Sequence, residues 1–89
     1  MRTIIISTGA RINVRGLTRR EVKNLADDDA INLYLIGPDK AQQAMDAVLE
    51  LAVSEHDLAE LDDLPNADAV KVYRGAMAET FGSRDEEKN

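Results

Sequence analysis

The segment Thr3 to Arg15, TIIISTGARINVR, constrains the fold more than any other part of the chain. Two short runs rich in β-branched residues flank a TGA step. The second run alternates Arg11, Ile12, Asn13, Val14 and Arg15, so its apolar members share one face. This spacing predicts a β-hairpin with strands over residues 3–7 and 11–15 and the glycine in the connection. A two-stranded hairpin is at best marginally stable alone. Its apolar face must therefore lie on helices, which the rest of the chain has to supply.

Helix signals follow at once. Thr18 and, three residues later, Glu21 form a capping box, in which each side chain bonds a backbone amide left free at the helix start. Leu17 and Val22 are spaced as a hydrophobic staple around it. The predicted helix runs from Arg19 to Leu25 or Ala26, ahead of the acidic triplet Asp27, Asp28 and Asp29. Residues 30–36, AINLYLI, stay open between two readings. Ile31, Leu33 and Leu35 alternate as in a short third strand, while the aspartates before them and Gly37 after them suit a helical turn.

Pro38 fits a first helical position. Ala41, Ala44, Met45, Val48, Leu49 and Ala52 then recur at steps of three and four, and Leu51 widens the stripe to that of a central helix with several neighbours. Leu58, Leu61 and Leu64 mark a short helix ended by Pro65. Asn66 is placed to cap a last helix from Ala67 to Phe81, with Val70, Tyr73, Met77 and Phe81 on one face and Ala69, Val72 and Ala76 beside them. Gly75 falls on the polar face with Asp68, Lys71 and Glu79, where its missing side chain permits a close approach. Gly82 ends this helix, and SRDEEKN is too polar to pack. The predicted fold class is α+β: one small domain over residues 1–82, a hairpin packed on three to four helices, and a disordered acidic tail over residues 83–89.

A domain of 89 residues buries only part of its unfolded surface, so its stability has to be modest. Tyr34, Tyr73 and Phe81 are its only aromatic residues, which makes the core aliphatic. Without cysteine there is no disulfide framework and no thiolate zinc site. The longest apolar runs fall far short of the ~20 residues that span a bilayer. Met1 and Arg2 are followed by only three strongly apolar residues, too few for a signal peptide. The expectation is a soluble, unprocessed, cytoplasmic protein.

No catalytic constellation emerges. His56 is the single histidine and stands beside Glu55 and Asp57 in a predicted loop, without the nucleophile or orienting group that covalent or acid–base catalysis needs. Asp27 to Asp29 and the pair Asp62 and Asp63 lack the alternating ligands and central glycine of a calcium loop, and read as solvated caps. STGA has neither the lysine nor the glycine spacing of a nucleotide-binding loop. These patterns predict a non-enzymatic protein with no catalytic residue, no metal and no cofactor.

Charge is the more informative signal. The net charge is -6, yet residues 1–23 carry six cations against Glu21 alone, and residues 24–89 carry five against sixteen acids. Four of the cations, Arg15, Arg19, Arg20 and Lys23, lie within RGLTRREVKNL. Arg19 and Arg20 fall in a first helical turn, where the macrodipole favours acids and each cation gives up ~0.3–1 kcal/mol. Three compensations are open. The cations can pair with the chain's own acids, at most about 1 kcal/mol for an exposed pair; they can bind phosphates of a nucleic acid; or they can anchor a protein partner. The acidic remainder and the lack of an aromatic platform in the basic segment argue against nucleic acid.

STGARINVRGLTRREVKNL at Ser7 to Leu25, MDAVLELA at Met45 to Ala52, and LDDLPNADAVKVYRGAMAETFGSRDEEKN from Leu61 onward carry a family likeness. In this order the chain resembles the small tail assembly chaperones of long-tailed bacteriophages: a short β-rich start, an R.LT..E segment, an acidic entry to the last helix, and an acidic tail after a glycine. The resemblance implies a non-enzymatic protein that binds the aggregation-prone tape measure protein and helps tail tube subunits polymerise around it. It also implies action in the bacterial host cytoplasm and absence from the finished virion, and it leaves a homo-oligomer open. Such proteins often have a longer form made by ribosomal frameshifting. Glu87, Lys88 and Asn89 can be encoded as GAA AAA AAC, which contains the slippery heptamer A AAA AAC.

An acidic module with a limited apolar groove suits an apolar helical client, because its charge discourages co-aggregation. The residues expected to contact partners are Arg15, Arg19, Arg20 and Lys23 on one surface, and Tyr73 and Met77 on another, tyrosine being amphipathic and methionine adaptable. Val70 and Phe81 are expected in the core. The alternative function is a small acidic prophage regulatory adaptor, or a nucleic-acid-binding module, that uses the basic N-terminal segment.

Overall fold

A computed structural model describes residues 1–82. Strands β1 (Arg2–Ile5) and β2 (Arg11–Val14) pair antiparallel, with Arg2 opposite Val14 and Ile4 opposite Ile12. The Gly9 amide donates to the Ile6 carbonyl at 2.9 Å and the Ile6 amide to the Ala10 carbonyl at 3.1 Å. Gly9 has φ +87°, a conformation that side chains disfavour. Both strands end earlier than the predicted residues 7 and 15, because Ile6 already belongs to the turn and Arg15 to the connection, but β2 alternates as the sequence predicts. Ile6, Ile12 and Val14 are buried, whereas Thr3 and Asn13 point outward and bond each other at 2.9 Å.

Helix α1 spans Arg19–Asp29, so it continues through the acidic triplet where the sequence predicts an earlier end. The reason lies just beyond it. Ala30 adopts the left-handed conformation (φ 58°, ψ 33°) and its amide donates to the Leu25 carbonyl. The Ile31 amide donates to the same oxygen at 2.9 Å, and the Ile31 side chain is buried. This lock fixes the helix end, leaving three aspartates at the negative end of the dipole. Left-handed geometry is unfavourable for a residue with a Cβ. Ala30→Gly is accordingly expected to stabilise the domain by about 0.5–1 kcal/mol and to raise the melting temperature by a few degrees, as thermal unfolding followed by circular dichroism will show.

Residues 31–36 form neither a strand nor a helix. Asn32 makes a turn there: its Oδ1 accepts the Tyr34 amide at 2.9 Å and its carbonyl accepts the Leu35 amide at 3.1 Å. The alternation of Ile31 and Leu33 reflects two anchors of one turn, both buried. A single 3-10 turn over Pro38–Lys40 then leads into α2 (Ala41–Ala52). Helix α3 (Glu55–Asp62) is capped by Ser54, whose Oγ accepts the Asp57 amide at 3.2 Å. Helix α4 covers Asn66–Phe81. Pro65, and not Asn66, holds its cap position. The Pro65 carbonyl accepts the Asp68 amide at 2.9 Å, and Asn66 is already helical.

The core is shared by the hairpin, the turn and all four helices. Helix α2 buries Ala44, Met45, Val48, Leu49 and Ala52 and packs on both α3 and α4, the central role its broad stripe predicts. Ile12, Val14, Val48 and Val72 are the largest fully buried side chains, each contributing about 1.5–3 kcal/mol.

Helix α4 differs from its predicted face. Its buried line is Asp68, Val72, Gly75 and Ala76, because the hairpin lies across it. A Cβ on Gly75 would come within 2.5 Å of Ile4 Cδ1, so the close approach expected of this glycine is real. Asp68 accepts the Ser7 hydroxyl at 2.6 Å and the Ser7 amide at 3.0 Å, bonds that hold its carboxyl below the usual range. Glu79 accepts Arg2 Nε at 3.1 Å. Val70 is half-buried against the core, but Phe81, expected inside, is 40 % exposed. Among the described residues no helix is long and apolar enough to cross a membrane. The tail predicted for residues 83–89 lies outside the described residues.

Candidate functional site

The connection from β2 to α1 determines which cations remain available to a partner. The Arg15 amide donates to the Ala52 carbonyl at 3.1 Å, tying the end of β2 to the end of α2. Gly16 rests on the backbone of α4, and the Leu17 amide donates to Thr80 Oγ1 at 2.9 Å. The capping box then closes. Thr18 Oγ1 accepts the Glu21 amide at 3.1 Å, and Glu21 Oε1 accepts the Thr18 amide at 2.9 Å.

Arg15 completes this arrangement with a bidentate pair to Glu21, at 2.9 and 2.8 Å. The Arg15 guanidinium first, and the Thr18 amide second, hold the Glu21 carboxyl down to about 2. The bonds to Glu21 raise Arg15 above its ordinary value. Internal pairing therefore accounts for Arg15.

Arg19, Arg20 and Lys23 stand apart from it. All three are exposed, and among the described residues none of them forms an ion pair. They border a shallow depression with Asn24 and Asp27. Next to it, Arg19 and Lys23 join Val22, Ala26, Leu33 and Tyr34 around a groove of about 260 Å³. Buried Ile31 and Leu33 pin the turn, which pushes Tyr34 and Leu35 outward to 78 % and 81 % exposure. The Tyr34 ring meets Phe81 edge-on, with centroids 5.1 Å apart and planes at 61°.

Tyr73 and Met77 line neither of these depressions. Both are half-buried and packed against the core, and burial pushes the Tyr73 hydroxyl up. The large apolar side chains left exposed among the described residues are Met1, Ile5, Tyr34, Leu35 and Phe81, and the exposure of Tyr34 beside Phe81 is not predicted from the sequence. One local signal for it exists: Asn32 two residues before Tyr34 has the spacing of a side-chain-to-backbone turn. The contact with Phe81, forty-seven positions along the chain, leaves no such signal.

A larger groove of about 530 Å³ runs between α2, α3 and α4, with Met45, Leu49, Leu58 and Leu61 below a rim that includes Asp46 and Asp62. Its apolar side chains are buried or half-buried, so it is a seam between packed helices. His56 lies exposed in the first turn of α3 and not in a loop. Asp27 to Asp29 form the exposed last turn of α1 and cap no helix. Among the described residues no group of three or more His, Cys, Asp or Glu is placed to hold a metal ion.

The groove beside α1 thus combines an apolar floor with a cationic rim. It can accept a hydrophobic side chain and an anionic group next to it, and its lining residues include no nucleophile with a base. No protein-family model, no curated protein and no solved structure matches the chain, so this surface is read from its own residues.

Proposed function

We propose that the chain is a non-enzymatic tail assembly chaperone of a long-tailed phage or prophage. It binds the tape measure protein in the host cytoplasm while tail tube subunits assemble around that protein. The observation that carries this reading is the exposed apolar surface of Tyr34, Leu35 and Phe81 beside three cations that pair with no acid among the described residues. Apolar side chains scattered singly on a surface call for no explanation, but a gathered set marks an interaction site. The net charge of -6 favours keeping an apolar client dispersed.

Dilution of denatured tape measure protein, followed by light scattering, tests the proposal. Scattering is expected to fall as the chain is added, without any nucleotide, and to level off at a fixed ratio. Unchanged scattering in excess chain contradicts it.

A second reading, a nucleic-acid-binding adaptor, is favoured by one observation. Tyr34 stands exposed beside Arg19 and Lys23, supplying the aromatic group the basic segment lacks in sequence. Binding of that kind must weaken steeply with salt.

A further inference from the structure

We infer that the groove between α1 and the turn at residues 31–36 takes an acidic, apolar segment of a protein. One hydrophobic side chain enters between Val22, Leu33 and Tyr34, while carboxylates beside it meet Arg19, Arg20 and Lys23. This deepens the chaperone reading, and it rests on that reading for the identity of the client.

Charge complementarity carries the assignment. Arg19 and Arg20 stand in the first turn of α1, where the dipole works against cations, and no acid among the described residues pairs with them. Carboxylates on a partner supply the missing counter-charge. The groove, about 260 Å³ with Leu33 at its floor, accommodates a bulky apolar side chain at the centre of such an arrangement.

A nucleic acid fits less well. Its phosphates continue along the strand, past three cations and onto Asp27, Asp28 and Asp29 of the same helix, all exposed. A peptide places carboxylates opposite the cations and nowhere else.

Two synthetic amphipathic peptides with one shared apolar ridge test the inference, one with glutamates beside the ridge and the other with lysines. Titrated into the isotope-labelled chain, the glutamate peptide is expected to move the amide signals of Arg19, Lys23, Asn32, Tyr34 and Phe81. It is also expected to bind about tenfold more tightly than the lysine peptide, the size that two rim ion pairs carry. The double variant Arg19→Glu with Lys23→Glu is expected to invert this preference. Unfolding does not mimic that result, because Arg19→Glu puts an acid where the helix dipole favours one.

Equal affinity for the two peptides, no binding of either, signals moving at the α2–α3 seam instead, or tighter binding of a single-stranded oligonucleotide each overturn the inference. Failure of the groove is distinguishable from failure of the chaperone reading. If tape measure protein is kept dispersed but the glutamate peptide does not bind, the groove assignment falls alone.

Discussion

Gly16→Ala is expected to destabilise the domain by about 2–3 kcal/mol and to lower its melting temperature by roughly 10 °C or more. An alanine Cβ at this position would stand 2.7 Å from the Glu79 carbonyl oxygen, 2.8 Å from its carbon and 3.1 Å from the Thr80 nitrogen. All three atoms belong to the backbone of α4, so no side-chain rotation relieves the clash. The connection has to lift off α4, and the 2.9 Å bond from the Leu17 amide to Thr80 Oγ1 goes with it. A domain of this size has only about 5–13 kcal/mol of stability to lose. Gly9→Ala is the control: its backbone is left-handed but nothing lies within 4 Å of the added carbon, so strain alone costs about 1 kcal/mol. Urea unfolding of both variants measures the difference, and equal losses would show that Gly16 is not a contact point.

Glu21→Gln is expected to cost about 1–2 kcal/mol at neutral pH, through the bidentate pair with Arg15 and a weakened capping box. The loss stays this small because the Arg15 side chain is 42 % exposed and solvent screens the pair. The pH dependence has a definite sign. The carboxyl of Glu21 is held at about 2 in the folded chain, below its ordinary 4.5. Its contribution is therefore complete above pH 4.5 and disappears as pH falls toward 2. Asp68 and Glu79, also held low, titrate in both proteins and cancel from the comparison. The stability gap between wild type and variant should close on acidification, and a gap that is constant with pH would remove Glu21 from this role.

What the sequence made legible was local. The hairpin follows from alternation over a few residues, and the capping box from an oxygen and an amide three positions apart. Helix α2 follows from the breadth of its stripe. The end of α1 was not legible, because Ala30 takes a left-handed conformation only when Ile31 has a core to enter. Nor was the buried side of α4. Hydrophobicity marked Val70, Tyr73, Met77 and Phe81, but a crossing hairpin needs closeness more than area, and Gly75, Ala76 and Val72 supply it. The polar residues on that side serve the same contact, since Asp68 receives Ser7 and Glu79 receives Arg2.

The candidate site divides in the same way. That Arg19, Arg20 and Lys23 face solvent follows from helical spacing alone. The commitment of Arg15 depends on the angle at which β2 delivers the chain to α1. Tyr34 and Phe81 meet because a turn and a helix end converge in space, which no pattern along the chain records.

The most direct test of the account is co-purification of tape measure protein with the wild-type chain and with the Arg19→Glu, Lys23→Glu variant, each checked for unchanged thermal unfolding. The account predicts that the wild type retains the client and that the equally stable variant loses most of it. Retention by both, or by neither, would contradict the claim that this basic and apolar surface is where the protein holds its partner.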